Sequence, residues 1–260
     1  MKRPFLLATI ALFTPATISF WSGLAYADTL LLHPSGAATN DQTNQYIGGT
    51  AATALDTNDG STSYGDLSSE DTARLALDDS GTLGAITSVR IRGVLRGDGG
   101  FRVDGEFRIG LRTNGTDYWS GTFENNDSYQ TYSGPLHSTN PNTGTAWTWA
   151  DINALNALVD NTDRSTDLRV TELFAEIIYQ PPVTLTVTKM ETGTGTVTSS
   201  PVGINCGATC SAPFNINTSV TLTATPAANS TFTGWTGCNS TSGTSCTVTM
   251  NVAKTVTASF

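Results

Sequence analysis

Apolar and polar residues alternate with a period of two along much of the chain, and this alternation limits what the chain can fold into. Successive side chains of a β-strand point to opposite faces, so the pattern is typical of strands that bury one face. Val89 and Ile91 alternate with arginines, and similar alternation recurs at 106–112 and 168–179. The sequence predicts a β-sandwich whose charged outer rows of Arg and Glu pair across strands.

Two consecutive prolines divide the chain into parts of different composition. Pro181 and Pro182 lack backbone donors and favour an extended linker. Residues 28–182 hold 9 Arg, 21 acidic residues and no Cys, whereas residues 183–260 hold three charged residues, all four Cys and 21 Thr. We predict a first domain over 28–180, a linker at 181–182 and a second domain over 183–260.

The first 27 residues have the features of a signal peptide. Lys2 and Arg3 precede an apolar stretch at 5–13, and Ala-Tyr-Ala at 25–27 has the small-x-small pattern of a cleavage site. The apolar stretch is shorter than the roughly 18 residues of a membrane span, which disfavours the alternative of an uncleaved anchor. We expect a secreted, extracellular protein, released or associated with the cell surface.

The charge balance argues against a nucleic-acid partner. The chain has 13 basic and 22 acidic residues, a net charge of −9 that becomes 11 − 22 = −11 without Lys2 and Arg3. Because phosphate affinity comes mostly from Lys and Arg, no nucleic acid is predicted as a partner.

Catalytic motifs are not found in the sequence. It has no G-x-S-x-G, H-E-x-x-H or phosphate-binding glycine loop, and His33 and His137 are interpreted as surface residues in turns. We predict no enzymatic activity and no cofactor. A glycoside hydrolase is the less favoured alternative, with acid pairs at 78–79 and at 104 and 106 as its candidates.

One helix is predicted within the first domain. Thr148 is a candidate N-cap and Asp151 a capping-box acid. Four apolar residues fall on one side of the predicted helix: Ile152, Leu155, Leu158 and Val159. We expect this helix to close one end of the sandwich, with Trp147 and Trp149 packing at its start.

Three segments of the first domain carry a resemblance to a known module. They are LDTNDGSTSY at 55–64, ALDD at 76–79 and TNPNTGTAWTWAD at 139–151. With the closing strand, they resemble a module of phage tail-associated and bacterial surface proteins over most of 30–180. The resemblance implies a jelly-roll-like β-sandwich with a short helix and no catalytic role.

The second domain carries a more specific resemblance over 183–260. Its segments are GTGTVTSSP at 193–201, CGATC at 206–210, VTLTA at 220–224, FTGWTGC at 232–238, CTVTM at 246–250 and VTASF at 256–260. In order and spacing they resemble a bacterial repeat related to the internalin B-repeat. The resemblance implies a small β-grasp-like domain that serves as a spacer in secreted surface proteins. We expect Trp235 and Phe232 in its core.

The four cysteines of an exported chain are expected to form two disulfides, for which the sequence alone allows three connectivities. We favour Cys206–Cys210 and Cys238–Cys246, because each closes a short turn. A zinc site made of the four thiolates is the alternative, although the C-x3-C and C-x7-C spacings are wider than those of usual zinc knuckles.

An oxygen-rich segment is a weak calcium candidate. Asp56, Asn58, Asp59 and Asp66 supply ligands of the type that calcium accepts, but their spacing departs from the EF-hand pattern. Asx-rich turns arise without metal, so we predict no metal site.

Four aromatic residues are the candidate ligand-binding side chains: Tyr118, Trp119, Tyr129 and Tyr132. Trp and Tyr combine a flat apolar face with a polar group, which suits recognition of a glycan or a protein. Packing within the sandwich is the other interpretation of these rings. We predict a non-enzymatic surface, structural or adhesion protein, with a carbohydrate-binding module as the alternative.

Overall fold

The computed structural model describes residues 27–34, 39–40, 45–47, 64–67, 72–78, 80, 84–97, 105–124, 126–162, 167–190 and 192–260. These residues form an all-β protein with one short helix, as predicted. The predicted signal peptide lies outside the described residues except at its last position, and so do three of the four calcium candidates, Asp56, Asn58 and Asp59.

Among the described residues, twelve strands and the helix precede the two prolines. The strands are β1 (Asp28–Leu32), β2 (Thr39–Asn40), β3 (Gln45–Ile47), β4 (Tyr64–Leu67), β5 (Thr72–Ala76), β6 (Ala85–Gly97), β7 (Glu106–Thr113), β8 (Thr116–Trp119), β9 (Phe123–Glu124), β10 (Gln130–Ser133), β11 (Asn156–Asn161) and β12 (Leu168–Gln180), and the helix is α1 (Trp149–Asn153).

These strands form two sheets that share one core. Sheet I has the order β10-β6-β12-β4-β3, with β1 also on β12, and sheet II has the order β2-β5-β11-β7-β8, with β9 also on β7. Val89 and Ile91 of sheet I and Phe107 and Ile109 of sheet II belong to the same buried cluster, as the alternation predicts. The arginines between them point outward, so both outer faces are charged.

The helix is shorter than predicted. Thr148 caps it and Asp151 completes a capping box, as expected, but α1 ends at Asn153. Leu158 and Val159, predicted on the helix, belong to strand β11, which lies between β5 and β7. The helical prediction was wrong there because β11 is buried on both faces, and a continuous apolar run fits helical spacing as well as a strand.

Eight strands follow the prolines: β13 (Val183–Met190), β14 (Gly195–Ser200), β15 (Ser211–Phe214), β16 (Ser219–Pro226), β17 (Gly234–Thr236), β18 (Ser240–Ser242), β19 (Ser245–Thr249) and β20 (Lys254–Ser259). Sheet III has the order β15-β13-β20-β17, with β13 parallel to β20, and sheet IV has the order β14-β16-β19-β18. A second buried cluster lies between them. Phe232 and Trp235, which were predicted in this core, are half-buried and pack against it.

Both disulfides of the favoured connectivity form, Cys206–Cys210 and Cys238–Cys246. The first closes a ring that connects the two sheets. The Cys206 N–H donates to the Val197 carbonyl of β14 at 2.7 Å, and the Val187 N–H of β13 donates to the Cys210 carbonyl at 2.7 Å. This small ring therefore ties sheet III to sheet IV.

Hydroxyl side chains cover the outer faces of sheets III and IV. In sheet IV, Thr198 lies opposite Thr223, and Thr221 lies opposite Thr247. In sheet III the Thr188 and Thr257 hydroxyls are 2.8 Å apart. The inward residues of the same strands are apolar, so threonine supplies the β-branched outer face that suits a strand without adding charge.

The division at Pro181 and Pro182 stays a prediction. Strand β12 ends at Gln180 and β13 begins at Val183, and the pairing described for the strands joins none of those before the prolines to one after them. Among the described residues, no helix is both long and apolar enough to cross a membrane.

Candidate functional site

Trp119 lies on the outer face of sheet II. Strand β8 pairs antiparallel with β7, which places Trp119 opposite Gly110. Gly110 faces outward because its neighbours Ile109 and Leu111 are in the core. A Cβ atom on Gly110 would collide with the Tyr118 carbonyl oxygen and lie 3.0 Å from Cε3 of Trp119. The absent side chain lets the half-buried indole lie against the sheet.

Arg108, the neighbouring outward-facing residue of β7, contacts the indole of Trp119. The guanidinium carbon of Arg108 lies 4.6 Å from the centroid of the Trp119 ring, a cation–π distance. The Arg108 Nε donates to Asp160 Oδ2 at 2.7 Å, and the Thr72 hydroxyl donates to the other oxygen of the same carboxylate. Arg108 is therefore fixed by both an aromatic and a carboxylate partner.

A second carboxylate on this face is held by two arginines. Arg112 Nη1 donates to Asp117 Oδ1 at 2.6 Å, and Arg74 Nη2 donates to Asp117 Oδ2 at 3.2 Å. Because Arg74 comes from β5 and Asp117 from β8, this cluster spans four neighbouring strands, β5, β11, β7 and β8. We refer to the residues Arg74, Arg108, Arg112, Asp117, Trp119 and Asp160 as the Trp119 face.

Several hydrogen-bond donors of the Trp119 face have no acceptor within the described part of the protein. They are both terminal nitrogens of Arg108, Nη2 of Arg112 and Nη1 of Arg74. These three side chains are 38%, 33% and 29% exposed. Fixed guanidinium groups with open N–H positions beside an aromatic ring can donate to a ligand that rests on the ring.

The other three candidate aromatics lie elsewhere. Tyr118 lies opposite Leu111 and packs against the core, where its hydroxyl oxygen accepts from Asn142 at 3.3 Å. Tyr132 faces inward because it lies opposite Gly93, an inward position of β6. Tyr129 lies beneath the Arg96 guanidinium, 5.1 Å from its ring centroid. Among the four candidates, Trp119 alone belongs to the outer face of sheet II.

Tyr132 belongs to an aromatic cluster that joins the two sheets. Its ring centroid lies 4.7 Å from that of Phe107 and 5.2 Å from that of Phe123, both in sheet II. Burial raises the pKa of the Tyr132 hydroxyl. The ring therefore serves packing between the sheets.

The outer face of sheet I contains a comparable acid held by two arginines. Arg90 donates to Glu176 Oε1 at 2.7 Å, and Arg92 donates to Glu176 Oε2 at 2.8 Å. Burial raises the pKa of this carboxyl, but hydrogen bonds from Arg92 and Arg90 and their charges outweigh burial, so the pKa is lowered. These pairs are the cross-strand Arg–Glu contacts that the sequence predicts.

His33 and His137, interpreted as turn residues, and the acids of the hydrolase alternative do not assemble into a catalytic group among the residues that the structure describes. His33 contacts Phe174 with a centroid distance of 5.5 Å, and burial lowers the pKa of His137. Asp79 and Asp104, each half of a hydrolase candidate pair, lie outside the described residues. Asp66 lies in strand β4, and no three potential metal ligands cluster within the described residues.

Sequence reasoning missed the arginines around Trp119, although part of the signal was present. Asn114 and Gly115 both have positive φ, 49° and 80°, and form the tight turn between β7 and β8. An Asn-Gly pair between alternating strands is a strong hairpin signal. Counting back from that turn places Trp119 opposite Gly110 and beside Arg108. The contact from Arg74 depends on the order of distant strands, which no local signal contains.

Comparison with known proteins identifies a family for the second part of the chain. Residues 183–260 match the family model of the divergent InlB B-repeat domain. This match confirms the resemblance predicted for the second part of the chain, which we now call the repeat domain. The resemblance predicted for residues 30–180 stays a prediction. No curated protein matches the chain.

A solved structure is similar over the first part. It is the CBM22-1 xylan-binding domain of Xyn10C from Paenibacillus barcinonensis, at 12% sequence identity, covering 60% of this chain and 98% of that one, with a TM-score of 0.38. A likeness at this level does not bear on the ligand of this chain.

Proposed function

We propose that the chain is an exported, non-enzymatic bacterial surface protein, in which the sandwich presents the Trp119 face to a partner and the repeat domain serves as a spacer. The observation that carries this proposal is the half-buried indole on an outer sheet face, held by Arg108. An aromatic ring fixed beside open charged donors is typical of binding surfaces. The repeat domain and its two disulfides support an extracellular location.

The engagement of the acids supports a non-enzymatic role. A glycoside hydrolase needs a carboxyl whose pKa is raised, so that it can act as a general acid. Asp117 and Asp160 accept hydrogen bonds from arginines, and the arginines beside Glu176 lower its pKa. All three carboxylates therefore serve as fixed partners of arginine.

A carbohydrate is the second candidate partner, and the Trp119 face favours it. The exposed part of the half-buried indole can pack against a sugar ring while the neighbouring arginines donate to the sugar's hydroxyl groups. A protein partner could use the same indole as an anchor. The binding assay described below distinguishes a carbohydrate partner from a protein partner.

The experiment compares the chain from Asp28 to Phe260 with its Trp119→Ala variant for binding to bacterial envelope preparations and to a glycan panel. Leu31→Ala is the matched control, because Leu31 is 45% exposed on sheet I. We expect saturable binding that Trp119→Ala weakens by about tenfold or more and Leu31→Ala leaves unchanged. Binding that survives Trp119→Ala would contradict the role of the Trp119 face. Release of reducing ends from a bound glycan would contradict the non-enzymatic role.

A further inference from the structure

We infer that the Trp119 face binds an uncharged polysaccharide and discriminates against its carboxylated form. This inference rests on the proposed function and adds the chemical class of the ligand. Three features carry it: the position of the indole, the open donors around it and the distribution of acids on the same face.

The indole is fixed before any ligand arrives. Gly110 lets it lie against the sheet, and Arg108 holds it through the cation–π contact while bonded to Asp160. A rigid ring loses little conformational freedom on binding, so the exposed part of this half-buried indole is suited to packing against a sugar ring. This apolar contact is indifferent to charge.

The arginine and aspartate groups beside the indole can form hydrogen bonds with neighbouring hydroxyl groups of a sugar. Asp117 is held by Arg74 and Arg112, and each arginine retains N–H donors that have no acceptor in the described residues. An arginine paired with an aspartate offers donors and carboxylate acceptors next to one another. A hydroxyl group can donate to one and accept from the other, which a carboxylate ligand cannot do.

The acids of this face disfavour an anionic ligand. By strand register, the described residues on the outer face of sheet II include its three arginines and four acids: Glu106, Asp117, Glu124 and Asp160. Glu106 and Glu124 lie directly opposite each other next to Arg108, and both are exposed. The whole chain has a net charge of −9. An anionic polymer would therefore meet repulsion, whereas a neutral polymer would not.

The experiment uses residues 28–260 and matched polymer pairs: β-glucan, xylan and galactomannan, each as the neutral polymer and as its carboxymethylated derivative. Binding is measured by affinity electrophoresis and calorimetry at low and high salt. We expect a neutral polymer to bind at least about fivefold more tightly than its derivative at low salt, with a Kd that salt changes by less than about twofold. We expect the difference in affinity between the neutral polymer and its derivative to decrease at high salt, because salt screens the repulsion between the acids and the carboxymethyl groups.

The variants localise the binding. Trp119→Ala and Arg112→Gln should each weaken binding of the neutral polymer by about fivefold or more, because the first removes the apolar contact of the indole and the second removes a donor. Arg90→Gln is the matched control, since Arg90 holds an acid in the same manner on sheet I. Binding unchanged by Arg112→Gln, or equally weakened by Arg90→Gln, would overturn the assignment to this face.

Three further outcomes separate this inference from the proposed function. Tighter binding of the carboxymethylated polymer, with affinity that falls steeply with salt, would overturn the inference and leave the surface role standing. Envelope binding that depends on Trp119 without binding of any polymer in the set would also overturn it and indicate a protein partner. Envelope binding that is independent of Trp119 would overturn the proposed function itself.

Discussion

Glu176 offers a quantitative test of how the outer faces are held together. Its side chain is 9% exposed, and it accepts from Arg90 and Arg92, which are 31% and 32% exposed. Glu176→Gln retains the size of the side chain and removes the negative charge that pairs with both guanidinium groups. A hydrogen bond to a charged group contributes about 1.5–3 kcal/mol. Because both arginines can regain water, we expect a total loss of about 2 kcal/mol rather than the sum.

The assay is urea unfolding of residues 28–260, followed by tryptophan fluorescence in a Trp235→Phe background. In this background the remaining tryptophans lie before the prolines, so the fluorescence reports the sandwich. Glu106→Gln is the control, because Glu106 is exposed and makes no ion pair in the described structure. A surface change of this kind costs less than about 0.5 kcal/mol. A loss for Glu176→Gln as small as that of the control would refute the reasoning.

The pH dependence of the same variant has a defined sign. The pKa of Glu176 is lowered in the folded protein from its usual 4.5, so the charged form is favoured by folding. Its contribution is fully present above pH 4.5 and is lost as the pH falls through the lower folded pKa. The difference in unfolding free energy between the wild-type chain and Glu176→Gln should therefore be constant from pH 6 to 8 and shrink toward pH 3. A difference that grows on acidification would contradict this linkage.

Three smaller changes test local features by the same unfolding assay. Gly110→Ala should cost about 1–3 kcal/mol because its Cβ meets strand β8, whereas Gly121→Ala, with open space around it, should cost far less. Replacing both Cys206 and Cys210 by Ser should cost the repeat domain about 2 kcal/mol by loop entropy, measured by circular dichroism with Trp235 present. Thr148→Ala should cost about 1 kcal/mol, because it removes the N-cap of α1. If the unfolding free energy of any one of these variants equals that of the unmodified chain, the role of the corresponding contact is contradicted.

The alternation of residues predicted the sheets well because it reports directly which side of a strand a residue occupies. It placed Ile91 and Phe107 inward and the neighbouring arginines outward, and it predicted that rows of Arg and Glu pair across strands, as Arg90 and Glu176 do. It failed at Leu158, which points to the outer face and is still fully buried. There the apolar run is continuous, and its period does not distinguish a helix from a strand.

The candidate site was predictable only in part. Trp119 could be identified from its residue type, and the Asn114-Gly115 turn fixes its position against Gly110. The hydrogen bond from Arg74 to Asp117 could not be predicted, because two other strands separate β5 from β8 in the sheet. The order of strands in a sheet depends on long-range packing, which local periodicity does not encode.

The hydroxyl-covered outer faces of the repeat domain affect the electric field in which the sandwich binds a partner. A domain of 78 residues is about 30 Å across. The Debye length at physiological salt is about 8 Å, so in the spacer role proposed above the electric field of a surface beyond the repeat domain would be screened before it reaches the sandwich. The repeat domain, whose outer faces present threonine hydroxyls, adds almost no field of its own. The sandwich would thus encounter its partner under its own charge alone, whatever lies behind it.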